Sequence, residues 1–109
     1  MAYNEPLAER VRNALEGIPE LVERKMFGGV GFMVQGNMAC GVHGDGLIVR
    51  VGPDAYQRAV MGPHTRPFDL TGRPMKGWVV VVPDGYRSED DLRAWVQEGL
   101  DFALTLPAK

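Results

Sequence analysis

Two combinations of side chains in this 109-residue sequence have the composition of a nucleophile or base with a partner. Cys40 and His43 pair a thiol with an imidazole, the combination that generates a reactive thiolate when the two groups touch. His64 and Asp69 pair a base with a carboxylate that could orient it. On a strand, however, the odd separation of Cys40 and His43 sends them to opposite faces. Cys40 shares its parity with Met38 and Val42 and reads as a buried structural thiol. No nucleophile accompanies His64 and Asp69, which read as loop-ordering polar residues. Two histidines and one cysteine fall short of a zinc site, and a lone cysteine excludes an internal disulfide. No catalytic residue, metal ligand or cofactor is assigned.

The segment Gly28-Gly29-Val30-Gly31 invites comparison with a phosphate loop. It lacks both the GxGxxG and the Gly-Lys-Ser/Thr spacing and falls between two strands, so it reads as a hairpin turn with close backbone packing. Charge is more informative. The net charge is −2, but residues 1–23 carry −3, residues 24–49 carry +1, residues 50–87 carry +3 and residues 88–109 carry −3. Within the basic middle, Arg50, Arg66, Arg73 and Lys76, with Trp78 nearby, form a candidate anion-receptive patch, because guanidinium groups grip carboxylate or phosphate bidentately. Phe27, at the Gly-Gly turn, and Phe68, in a loop, are the candidate exposed contact residues. Five of the six methionines lie between positions 26 and 75. They read mostly as core filler, with an exposed partner-accepting surface as the alternative.

These residues need elements to position them. Asn4-Glu5-Pro6 is a helix start, and Leu7, Ala8, Val11, Ala14, Leu15 and Ile18 recur on one helical face until Gly17 and Pro19 stop it. A meander follows. It comprises a poorly alternating run at 21–26, then 30–35, a two-residue turn at Gly36-Asn37, 38–43, a turn at Gly44-Asp45-Gly46, and 47–51. A short helix is expected over 53–61, then a fifteen-residue loop over 62–76. The Trp78 to Val82 run is a strand, and Ser88 with Asp91 opens a final helix striped by Leu92, Trp95, Val96, Leu100 and Ala103. The order α-β-β-β-β-α-β-α predicts an α+β fold, with an antiparallel sheet of about five strands and helices packed on it. The length and the 45% hydrophobic content suit one domain spanning 1–109. No basic-then-apolar leader and no long apolar run is present, which predicts a cytoplasmic protein without a membrane partner.

Arg24-Lys25-Met26-Phe27-Gly28-Gly29-Val30-Gly31-Phe32 resembles the signature of the TfoX/Sxy family N-terminal domain. Met38-Ala39-Cys40, Leu47-Ile48-Val49-Arg50-Val51, Arg66-Pro67 and Gly72-Arg73-Pro74-Met75-Lys76-Gly77-Trp78 extend the resemblance over nearly the whole chain. The resemblance implies an α+β domain likened to secretion-chaperone folds. Longer members are regulators of natural competence that assist a cyclic-AMP-responsive activator at promoters, and they carry a C-terminal helical domain. This sequence ends after the final helix, so the expectation is a stand-alone N-terminal domain. The family supplies no catalytic roles to carry over.

The expected function is a non-enzymatic protein-interaction module, a transcription-related adaptor docking through the sheet face or the 62–76 loop. The alternative is a small anionic-ligand binder, or an enzyme using the Arg/Lys-rich loop. A protein partner is expected, with the transcription machinery as the candidate implied by the resemblance. A homodimer covering an open sheet face or edge is a further expectation. Direct nucleic-acid binding is not expected, because acidic helices oppose phosphate and no basic recognition helix is present.

Overall fold

Asn4 sets the register of the first helix. Its Oδ1 accepts the Leu7 N–H at 3.0 Å, while its own backbone N–H donates to the Gly44 carbonyl at 2.8 Å. Helix α1 (Glu5–Ala14) therefore begins already tied to a sheet turn. It buries Leu7, Ala8 and Val11, with Leu15 at its cap, and Gly17 just beyond takes φ +87°. The computed structural model describes residues 3–26, 28–69 and 75–108.

Four strands follow as a meander: β1 (Leu21–Met26), β2 (Gly29–Val34), β3 (Asn37–His43) and β4 (Gly46–Arg50). After α2 (Tyr56–Val60) come β5 (Thr65–Pro67), β6 (Trp78–Val81), a 3-10 turn (Pro83–Gly85) and α3 (Glu89–Leu104). The strands form one sheet in the order β1-β2-β3-β4-β6-β5, antiparallel throughout. The fold is α+β, as the sequence predicts.

The departures from expectation are local and have physical causes. The sheet has six strands rather than about five. The extra one, β5, lies inside the predicted loop, and a three-residue strand ending in proline shows no periodicity to read. It exists because β6 offers a pairing edge, with Arg66 opposite Val80 and the Met75 N–H closing onto the Phe68 carbonyl at 3.0 Å. Helix α2 is shorter than the 53–61 expected.

The β2–β3 turn is Gln35-Gly36 (φ +53° and +83°) rather than Gly36-Asn37. Asn37 instead belongs to β3, where it is buried and donates Nδ2–H to the Pro107 carbonyl at 2.9 Å. Phe32 pairs with Cys40 but Met33 pairs with Met38, so Ala39 is an extra residue, a β-bulge. The bulge moves Met38 off the Cys40 face, where simple alternation had placed it. It sits where α3 packs tightly on the sheet, since a Cβ at Gly99 would lie 2.3 Å from the Ala39 carbonyl oxygen.

All three helices contribute to one core. Leu7, Val11, Ala59, Leu92, Val96 and Leu100 meet Val30, Phe32, Cys40, Val42, Leu47, Val49, Val79 and Val81 on one face of the sheet. Ser88 Oγ accepts the Asp91 N–H at 3.0 Å and starts α3, with Glu89, Asp90 and Asp91 in its first turn. Arg12 and Glu23 join α1 to β1 by a two-pronged ion pair, one prong at 2.8 Å. That pairing raises the Arg12 pKa and holds the Glu23 carboxyl below its ordinary range. Among the described residues no helix is long and apolar enough to cross a membrane.

Candidate functional site

Strand alternation sends one set of residues to the helices and the other set to a face that none of the described helices covers. The registers connect the second set into a row across all six strands. Arg24 faces Gly31, Gly31 faces Gly41, Gly41 faces Ile48, Ile48 faces Val80, and Val80 faces Arg66. An arginine therefore stands at each end, with two glycines and two aliphatic residues between them. Beside this row Val22 pairs with Met33, and Met33 with Met38. The Met38 methyl lies over Gly41, 2.7 Å from where a Cβ would be, so the glycine makes room for it. Gly46 does the same for Val80, whose Cγ1 would be 2.5 Å from a Cβ there.

At the Arg66 end the surface deepens into a pocket of about 150 Å³ lined by His43, Ile48, Arg66, Phe68, Asp69 and Val80. Ile48 and Val80 are only 5% and 4% exposed, although they stand outside the core cluster. Phe68 meets Trp78 with ring centroids 6.3 Å apart. Trp78 in turn receives the Arg50 guanidinium at 5.0 Å, and the Phe102 ring of α3 flanks that guanidinium at 5.5 Å. The Arg50 guanidinium thus contacts two aromatic rings, one from β6 and one from α3.

The expected patch is thus divided. Arg50 and Trp78 come together, Phe68 links them to the pocket, and Arg66 lies in the pocket wall. Lys76 is exposed in the turn entering β6. Arg73 and Phe27 lie outside the described residues. His43 and Phe102 are additions that had not been placed at this site, while Asp69, read together with His64, does line the pocket. His43 was legible from its parity opposite Cys40. Phe102 was legible only as a flank of the α3 stripe, and nothing local brings it to Arg50.

His64 and Asp69 stand at opposite ends of β5. The His64 carbonyl accepts the Val82 N–H at 2.9 Å, while Asp69 turns to the pocket. Cys40 is fully buried, and burial pushes its thiol up to about 12, so it is neither ionised nor reachable. In the Gly-rich segment a Cβ at Gly29 would lie 2.3 Å from the Val42 carbonyl oxygen, the close backbone packing expected there. Among the described residues no three His, Cys, Asp or Glu side chains converge as metal ligands do.

The expectation that most methionines fill the core is overturned. Met33 and Met38 are half-buried on the helix-free face, Met61 is 79% exposed and Met75 is exposed. The core has no need of them, because Val, Leu and Phe already fill it.

An antiparallel six-stranded sheet with the described helices on one face defines an α+β protein. The family model of the TfoX N-terminal domain matches residues 13–103, most of the chain, and the fold is consistent with it. The chain belongs to the TfoX N-terminal domain family. No curated protein matches it.

Proposed function

We propose that this protein is a docking module that binds another protein through the helix-free face of its sheet. One observation carries the reading: the chain places methionine, valine and glycine, with flanking arginines, on a face that its own helices leave open. Met33 and Met38 form a facing pair there, and Val22 beside them is 52% exposed. Flexible thioethers over glycine make an adaptable contact surface. Neither sheet edge competes well for a partner strand, since β5 is three residues long and ends in Pro67, and β1 carries Glu23, Arg24 and Lys25. The resemblance to longer regulators supports a protein of the transcription machinery as the class of partner, acting in the cytoplasm.

Affinity co-purification from the native cell, with the oligomeric mass measured on the same sample, tests this reading. A specific partner is expected with the parent chain and with Glu16→Lys on the helix side. It is expected to be lost with Met33→Glu/Met38→Glu. Retention by the double variant, with its fold verified by circular dichroism, would overturn the proposal.

A further inference from the structure

The pocket at the Arg66 end of the sheet has a floor of one kind and walls of another. Ile48 and Val80 form the floor and are only 5% and 4% exposed, whereas His43, Arg66 and Asp69 are exposed and Phe68 is half-buried. A buried floor under exposed walls is a depression, closed to a flat protein surface and open to a small molecule. The strand order β3-β4-β6-β5 sets His43 and Arg66 three strand spacings apart, about 14 Å, on opposite sides of that floor. Gly46, the cross-strand partner of His43, adds no side chain beside it. Phe68 is braced from behind by Trp78, with ring centroids 6.3 Å apart.

Size and charge narrow what can bind. A cavity of about 150 Å³ takes a benzene-sized body and falls well short of the roughly 300–1,000 Å³ typical of sites for larger ligands and cofactors. Arg66 and Asp69 line this one pocket without closing on each other, and neither makes an ion pair with another described residue. A guanidinium grips a carboxylate through two parallel N–H donors, and a carboxylate accepts from an ammonium. A simple anion in this pocket would meet the Asp69 carboxylate, and a simple cation would meet the Arg66 guanidinium. A small molecule carrying both charges a few bonds apart meets neither conflict. Phe68, Ile48 and Val80 leave an apolar place for its remaining substituent.

We propose that this pocket binds a free α-amino acid with an apolar side chain of about benzene size. Arg66 takes the carboxylate, Asp69 takes the ammonium, and the side chain lies against Phe68 over Ile48 and Val80, with His43 closing the far side. Met33 and Met38 line no part of the pocket, so ligand binding and protein docking are separable.

The test uses L-phenylalanine, 3-phenylpropanoate, which lacks the ammonium, and phenethylamine, which lacks the carboxylate. Each is titrated into the isotope-labelled full chain and followed by backbone amide shifts. Phenylalanine is expected to shift His43, Ile48, Arg66, Phe68 and Val80 and to bind at least fivefold more tightly than either analogue. Arg66→Gln is expected to remove its advantage over phenethylamine and keep its advantage over 3-phenylpropanoate. Asp69→Asn is expected to do the reverse. Both positions are exposed, and circular dichroism checks that each variant is folded. Equal affinity for the three compounds would overturn the proposal, as would tightest binding of 3-phenylpropanoate, which would make the site a simple anion receptor. So would shifts confined to other surfaces, or no binding of phenylalanine up to its solubility.

Discussion

The Arg50 guanidinium carbon stands 5.0 Å from the Trp78 ring centroid, and Arg50 is also the cross-strand partner of Trp78 in the ladder. With the Phe102 ring at 5.5 Å as well, one cation links the end of β4, the start of β6 and the last turns of α3.

Arg50→Ala is therefore expected to cost about 1–2 kcal/mol, the sum of two partly shielded cation–π contacts. Chemical denaturation should show a lower midpoint with an unchanged slope. Arg50→Lys should fall in between, because an ammonium keeps the charge but loses the flat stacking surface. A midpoint unchanged in Arg50→Ala would show that the aromatic clamp contributes nothing.

Gly99→Ala reverses the usual sign of a helical substitution. In an exposed helix interior the change is favourable by about 1 kcal/mol. In α3 the new Cβ would meet the Ala39 carbonyl oxygen at 2.3 Å and its carbon at 3.2 Å, both backbone atoms fixed by the bulge. Helix and sheet must separate, so the expected outcome is destabilisation of about 2 kcal/mol or more. Thermal unfolding followed by circular dichroism decides it, and a raised midpoint would contradict the close approach.

Cys40 gives the molecule an alkaline liability. Its thiol is pushed up to about 12 by burial, whereas in the unfolded chain it ionises near the ordinary value of about 8.5. Below that ordinary value both states hold the proton. As pH rises above it, only the unfolded state releases the proton, so stability falls until the folded thiol also ionises near 12. This one group contributes a slope of about 1.4 kcal/mol per pH unit within that window. Denaturation at several pH values should show a shallower decline in Cys40→Ala than in the parent. Iodoacetamide at pH 8 should leave native Cys40 unmodified and label it once the chain is unfolded.

The helix starts were legible because capping is local. Asn4 and Ser88 each reach an amide three residues on, and their neighbours announce it. The α+β class followed from alternation and turn residues that act over a few positions. What escaped was decided by contacts between distant segments. β5 has no pattern of its own and depends on β6. Asn37 left its predicted turn for a hydrogen bond to Pro107, seventy residues away.

Net charge by segment was likewise readable, but not its geometry. The sequence by itself determined acidic terminal helices, a basic middle and residues enough to fill one core. Only the tertiary structure engaged Arg50 with aromatic rings and left Arg66 in a pocket wall. A bulge of one residue turned Met38 from the core to the open face. Side-chain direction on a strand has a period of two, so a single inserted position, set by where α3 approaches Ala39, decides which face a residue serves.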